Sequence, residues 1–248
     1  MKLNKKEKVL LIIYLKNCLD ISDSIDKIYK IIIKGDKKIW KFTFNICRKI
    51  GLLEEDAFIF SDSLIYANLI GVDSHGIMRL PYYIERLRLG GTKIKPNIKI
   101  IKEKSSTTLI DGDNGLGQVV VTFAVKLGVK KVKETGITFV GVRGSSHFEA
   151  AQYYAVKIAN NDMVSFAPTN GYPGMTAWGG AKNVICNNPL AIAVSYKKEK
   201  PLVLDIAMSN IAGGKIISAA KNKQKIPKGL ILDKNGKDSE DPNDLFNG

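Results

Sequence analysis

The sequence predicts an α/β protein: helical residues first, then a layered domain of strands and helices in alternation. Two observations carry this. Beyond Gly90-Gly91, short β-branched and aliphatic runs alternate with longer stretches of helical period. Apolar residues also make up 45% of the 248 positions, which supplies a core for one large domain or two small ones and excludes a disordered chain.

The elements follow in order. From Trp40 the chain becomes regular. Ala57, Phe60, Leu64 and Ala67 recur at helical spacing, so residues 54–70 are predicted as a helix with one buried face that breaks at Gly71. A second helix is predicted from Ile77 to Leu89, with Pro81 marking its first turn or a kink and Gly90-Gly91 its end. Strands are predicted at 97–101, 107–110, 137–142, 163–168, 190–196 and 202–206. Helices are predicted at 118–133, 148–160 and 211–223. No internal repeat or low-complexity linker divides the chain.

The formal charge is +14, and residues 1–50 alone, with 13 basic and 5 acidic residues, carry +8. Lysines outnumber arginines 33 to 5 and are scattered, which favours a solvated surface over nucleic-acid or anionic-membrane binding. Near the N-terminus, Lys2, Lys5, Lys6 and Lys8 precede the apolar run Val9–Leu15. That run ends at Lys16 with no small-residue cleavage site after it, so an amphipathic extension is expected rather than an export signal. No apolar run approaches the roughly 18 residues of a membrane helix. Cys18, Cys47 and Cys186 are odd in number and far apart, pointing to a reducing compartment, the cytoplasm.

Only two histidines exist, His75 and His147. His75 lies in Gly71-Val72-Asp73-Ser74-His75-Gly76, four residues before Arg79. An imidazole beside a guanidinium suits an α-hydroxy or α-keto carboxylate, which Arg grips bidentately while His or Ser74 bonds a neighbouring oxygen. The same residues also fit a helix start capped by Asp73 or Ser74, with Arg79 on the surface. His147 follows a predicted strand and the turn Gly141–Ser146, and a helix is expected to start at it. There it could exchange a proton near neutral pH, or serve as a helix cap or core residue. No G-x-G-x-x-G or P-loop pattern is present. The segment Asp111–Gly117 reads as a tight structural turn, because its two Asp would repel phosphate. No spacing suits a metal site.

Four stretches together resemble the malate/L-lactate dehydrogenase family, which also includes ureidoglycolate and sulfolactate dehydrogenases and cyclic-imine reductases. They are Gly71–Pro81 continuing through Tyr83 and Glu85–Leu87 to Gly91; Asp111–Gln118; Val142–Phe148 with Ala150-Ala151 and Tyr153–Ala155; and Thr169-Asn170 through Trp178–Gly180, Asn188–Ile192 and Val203–Ser209 to Gly214–Ile216. The likeness spans residues 40–248.

The resemblance implies a layered mixed-sheet cofactor domain of non-Rossmann type with an N-terminal helical domain. It divides the chain into a Lys-rich extension at 1–38, a helical substrate and dimerisation part at 39–104, and a dinucleotide-binding part at 105–248. It further implies NAD- or NADP-dependent interconversion of a small 2-hydroxy acid and its 2-oxo acid in a homodimer, with no nucleic-acid, membrane or metal partner. His147 is implied as general acid/base. Ser74, His75 and Arg79 are implied around the substrate carboxylate, with His75 also near the nicotinamide. Thr169, Asn170, Asp205, Ala207, Met208 and Ser209 are implied to line the dinucleotide. Reduction of cyclic imino acids and an inactive truncated product are the alternatives. Departures from the family pattern are Glu149 where a small residue, often Gly, is usual, and Lys182, Cys186 and Met208. Family chains also run past Gly248; without their closing helices, the layer around 40–90 is expected to expose apolar surface.

Overall fold

The computed structural model describes residues 36–196 and 200–247. The Lys-rich extension, apart from residues 36–38, and Cys18 lie outside the described residues.

Helix α1 (Asp36–Lys49) has no counterpart among the sequence expectations. It buries Thr43, Ile46 and Cys47. The chain then turns at Gly51, whose φ of +100° is open to glycine. Helix α2 (Glu54–Leu69) starts with Glu54, Glu55 and Asp56, which complement its dipole. One buried face was predicted for it, but Ile59, Ser61, Ser63 and Ile65 are buried as well, since later helices pack on its second side. Ser61 and Ser63 satisfy their hydroxyls on the helix's own carbonyls, Ala57 O at 2.7 Å and Phe60 O at 2.9 Å. Two 3₁₀ turns, Asp73–His75 and Ile77–Arg79, lead into α3 (Leu80–Arg88), with Pro81 in its first turn. Leu80, Tyr83, Ile84 and Leu87 repeat at helical spacing and join Phe60 and Leu64 in the main core.

The first sheet comprises β1 (Lys99–Glu103), β2 (Thr107–Gly115) and β3 (Phe139–Ser145). It is mixed: β1 and β2 run antiparallel, and β2 and β3 run parallel across the helix α4 (Gly117–Thr135). It begins at Lys99, within the stretch assigned above to the helical part. β2 outlasts its expected end at Ile110, because the left-handed pair Asp113 (φ 51°) and Asn114 (φ 54°) shifts the register without ending the pairing. Leu116 and Val119 at the start of α4 close the main core.

The second sheet follows helix α5 (Ala151–Ala159) and opens with strand β4 (Val164–Pro168). Two short strands, β5 (Met175–Thr176) and β6 (Asn183–Ile185), precede β7 (Leu190–Val194) and β8 (Leu202–Ile206). The order β4-β7-β8 is antiparallel throughout. Ala151, Ala155 and Ala159 let α5 sit close on Ala191 and Ala193. The other face is open: Phe166, Ile192 and Leu204 are aligned across the strands, and Phe166 is 65% exposed while its neighbour Ser165 is 3% exposed. Apolar exposure was expected on the helical layer; Leu53, Phe58, Leu69 and Leu89 are exposed there, and this sheet face adds a second apolar surface. Helix α6 (Gly213–Lys221), strands β9 (Ile231–Leu232) and β10 (Asp238–Ser239) and helix α7 (Asp244–Asn247) complete the described chain.

Candidate active site

Residues 73–79, in which His75 and Arg79 stand four apart, do not form one continuous helix. Gly76 breaks them into two 3₁₀ turns. Asn68, from the end of α2, holds both turns. Its Oδ1 accepts from Ile77 N at 2.8 Å, and its Nδ2 donates to Asp73 Oδ1 at 2.5 Å. A side chain on Gly76 would put its Cβ 2.3 Å from Asn68 Oδ1, so this close approach requires glycine. Neither Asp73 nor Ser74 caps a helix through its side chain. Ser74 Oγ instead lies 3.1 Å from His75 Nδ1, and Arg79 Nε donates to Ser74 O at 2.8 Å. Serine, histidine and arginine are thereby locked together. The arginine commits only Nε in this bond.

His147 sits in a loop, not at a helix start, for α5 begins at Ala151. The loop lies flat on the N-terminus of α4. Gly117 N donates to Ser146 Oγ at 3.0 Å, and a Cβ on Gly117 would come within 2.3 Å of Ser146 O. The preceding segment, read in the sequence as a tight turn, is instead the irregular end of β2, Asp111–Gly115, running into α4. Asp111 accepts from Asp113 N and from Arg143, and Asp113 accepts from Lys93 and Asn97 N.

The Tyr83 hydroxyl lies 2.5 Å from His147 Nδ1, and Glu149 N donates to the same atom at 3.4 Å. A backbone N–H can only donate, so Nδ1 is the acceptor and the neutral ring carries its hydrogen on Nε2. The His75 ring stacks 5.9 Å from that of His147. Burial, then the charges of Arg79, His75 and Arg86, push His147 down to about 3. Burial and Arg79 push His75 down to about 4. Both imidazoles are therefore neutral at pH 7.

Glu149 is 7% exposed and has φ 70°. Neither of its carboxyl oxygens makes a hydrogen bond. Burial pushes the carboxyl well above the usual carboxylate range, while Ser63, Gln118 and Arg79 oppose the shift. Gln118, fully buried, exerts its pull on Glu149 and Tyr83 from outside hydrogen-bond geometry.

The remaining predicted residues line the same broad, open depression as Ser74, His75, Arg79 and His147, one that extends over both sheets. Thr169 and Asn170 follow β4, and Thr169 N donates to Pro189 O at 3.1 Å. Asp205, on β8, accepts from Gln152 N at 3.1 Å, and burial raises its carboxyl above the ordinary value. Past β8, Ala207 and Met208 follow, Met208 N donating to Asn187 O at 2.7 Å, and Ser209 Oγ donates to Ile211 O at 2.8 Å. Gly214, in the first turn of α6, meets Ser74: a Cβ there would lie 3.0 Å from Ser74 Cβ. The sequence reading gave no site role to Asn68, Tyr83, Gln118 or Gly214, although the last three stand in the motifs that carry the resemblance. Tyr83 left a signal, standing one helical turn beyond Arg79; Asn68 left none.

A family model described as malate/L-lactate dehydrogenase matches residues 36–248. The chain belongs to that family. A relative, L-sulfolactate dehydrogenase of Methanocaldococcus jannaschii, is 44% identical over 208 residues, covering 84% of this chain and 60% of its own length. Malate dehydrogenase of Pyrococcus horikoshii is 38% identical over 211 residues, covering 85% of this chain and 58% of its own. The crystal structure of malate dehydrogenase from Entamoeba histolytica superposes with a TM-score of 0.83 at 33% identity, over 86% of this chain and 59% of that one. The chain thus spans about 60% of the length of the curated relatives it matches. These three relatives are sulfolactate and malate dehydrogenases, and the mixed α/β fold is shared with them. Among the described residues no helix is long and apolar enough to cross a membrane, and no three His, Cys, Asp or Glu cluster as a metal site.

Proposed function

We propose that this chain carries the acid–base centre of a nicotinamide-dependent dehydrogenase interconverting a small 2-hydroxy acid and its 2-oxo acid. One observation carries the reading: a neutral His147, bonded to Tyr83, faces the same cleft as Arg79, with His75 stacked beside it.

The residues present fit a dinucleotide. Asp205 offers an acceptor for ribose hydroxyls. Thr169, Asn170 and Ser209 offer polar groups along the cleft. α6 opens with Gly213, which has open space where a side chain would stand, and the N–H groups of a helix's first turn suit a phosphate. When bound, the nicotinamide supplies or accepts the hydride.

Arg79, fixed through Nε, holds the substrate carboxylate and so sets the distance of the reacting carbon from His147. The same contact offsets the guanidinium charge that disfavours imidazolium, raising the proton affinity of His147 as substrate binds. Tyr83 holds the ring orientation at Nδ1. In reduction the doubly protonated ring gives its Nε2 proton to the substrate oxygen and keeps its Nδ1 proton, for which the Tyr83 oxygen is then the acceptor, and oxidation runs in reverse. Ser74 positions His75 at the edge of the same site.

A homodimer in the cytoplasm is part of this proposal, by family likeness. The test is calorimetry of the 248-residue chain with NADH and NADPH, followed by assays with oxaloacetate, sulfopyruvate, pyruvate and a piperideine carboxylate. Heat with one coenzyme and turnover of a 2-oxo acid are expected. No heat with either coenzyme, or turnover of the imine alone, overturns it. Tyr83→Phe should lower kcat about 10-fold, the worth of one hydrogen bond to a charged partner, with KM little changed.

A further inference from the structure

The loop that carries His147 links β3 to α5 and is tied down at both ends. At one end Gly117 N donates to Ser146 Oγ at 3.0 Å. At the other the buried Tyr154, from the first turn of α5, reaches back, and its hydroxyl donates to Phe148 O at 2.8 Å. The Phe148 and Tyr154 rings also meet edge to face, their centroids 5.2 Å apart. The placement of α5 therefore sets the placement of Phe148, the residue after His147.

α5 has no local cap. The N–H groups of a helix's first turn find no partner inside the helix, and the residue at its N-cap is Ala150, whose side chain accepts nothing. The acceptor comes from 53 residues away: Asp205 Oδ2 takes the Gln152 N–H at 3.1 Å. Strand alternation along β8 puts it there. Leu204 pairs with Ile192 on the open face of the sheet, whereas Asp205 pairs with Ala191, on the face against which α5 packs. A carboxylate at this place also complements the positive end of the helix dipole.

We propose that Asp205 is a positioning residue for proton transfer: it caps α5 from the neighbouring strand, and the capped helix, through Tyr154, holds the His147 loop where the imidazole meets Tyr83. Oδ2 is committed to the helix, and Oδ1 is left for the coenzyme hydroxyl proposed above. One carboxylate thereby joins the coenzyme wall to the acid–base centre. This inference rests on reading His147 as the proton carrier.

The experiment is amide hydrogen exchange with ¹⁵N NMR of the histidine rings, on the full chain at pH 7 without coenzyme or substrate. Both imidazoles are neutral at that pH, so the ring shifts report the tautomer rather than a titration. With only two histidines, His75→Asn identifies both signals. In Asp205→Ala, exchange at Gln152 and at residues 146–149 should rise about fivefold, the worth of a lost cap. His147 should pass from the single Nε2–H tautomer to a mixture, while His75 and the amides of β7 change less than twofold. Asp205→Asn keeps an acceptor oxygen and should restore the wild-type pattern. Unmoved His147 shifts in Asp205→Ala, exchange rising evenly along the chain, or an Asn variant no better than Ala each overturn the proposal. Any of these leaves the dehydrogenase reading standing. A chain with the expected spectra that neither binds coenzyme nor turns over a 2-oxo acid sinks that reading alone.

Discussion

The two sides of the cleft are built differently. Around Ser74, His75, Arg79 and His147 other elements brace the segments that carry them: Asn68 from α2 holds Asp73 and Ile77, Tyr83 from α3 bonds His147, and Gly117 from α4 bonds Ser146. Around Thr169, Asn170 and residues 205–209 the bracing is mainly backbone to backbone, and the sheet behind them turns Phe166 and Leu204 to solvent. The difference teaches that the His147 side is braced by side chains and backbone within the described residues, whereas the side of Thr169 and Asp205 presents apolar area that nothing in them covers. Proton chemistry needs fixed distances and a dry setting; a coenzyme wall needs mainly shape and hydrogen-bonding groups.

Substitutions that break or sharpen this contrast fall in a clear order. His147→Ala should have the largest effect, a loss of about 10²–10⁴ in kcat with coenzyme affinity nearly intact, read by steady-state kinetics and calorimetry. Retained turnover removes His147 from the mechanism. Asn68→Ala comes next. It frees the two 3₁₀ turns and leaves Ile77 N unpaired, so denaturant titration should show a loss of about 1–3 kcal/mol, and KM for the hydroxy acid should rise.

Glu149→Gly should act in the opposite direction on stability, adding about 1–3 kcal/mol by relieving the left-handed backbone. Its pH dependence has a definite sign. The folded state holds the Glu149 carboxyl above its ordinary value, so stability is fully present at low pH and falls as pH rises past the unfolded carboxyl's range. The advantage of the glycine variant should therefore widen with rising pH. His75 and His147 work the other way, being pushed down in the fold, so both forms lose stability as pH falls from about 6.5. Denaturant midpoints at pH 4, 6 and 8 check both slopes. Phe166→Lys, on the open sheet face, should change stability least, within about 0.5 kcal/mol, while reducing self-association in light scattering. A large loss would show that the face is covered within the chain.

The pattern of apolar residues determined most elements to within a few positions, because burying one face of a helix or strand leaves its period in the chain. Helix 54–70 and the strand at 202–206 are such cases. The scarcity of histidine and the motifs around His75 and His147 marked the candidate site. Tertiary structure alone decided the rest. It put His147 on a loop, broke 73–79 into two turns, and wrapped α2 on two sides. It also brought Asn68, Tyr83 and Glu149 to bear on residues up to 64 positions away. Period and propensity report on neighbours a turn or a strand away; a side chain clamping a distant backbone leaves no local trace, and whether a carboxyl is charged depends on what surrounds it in space.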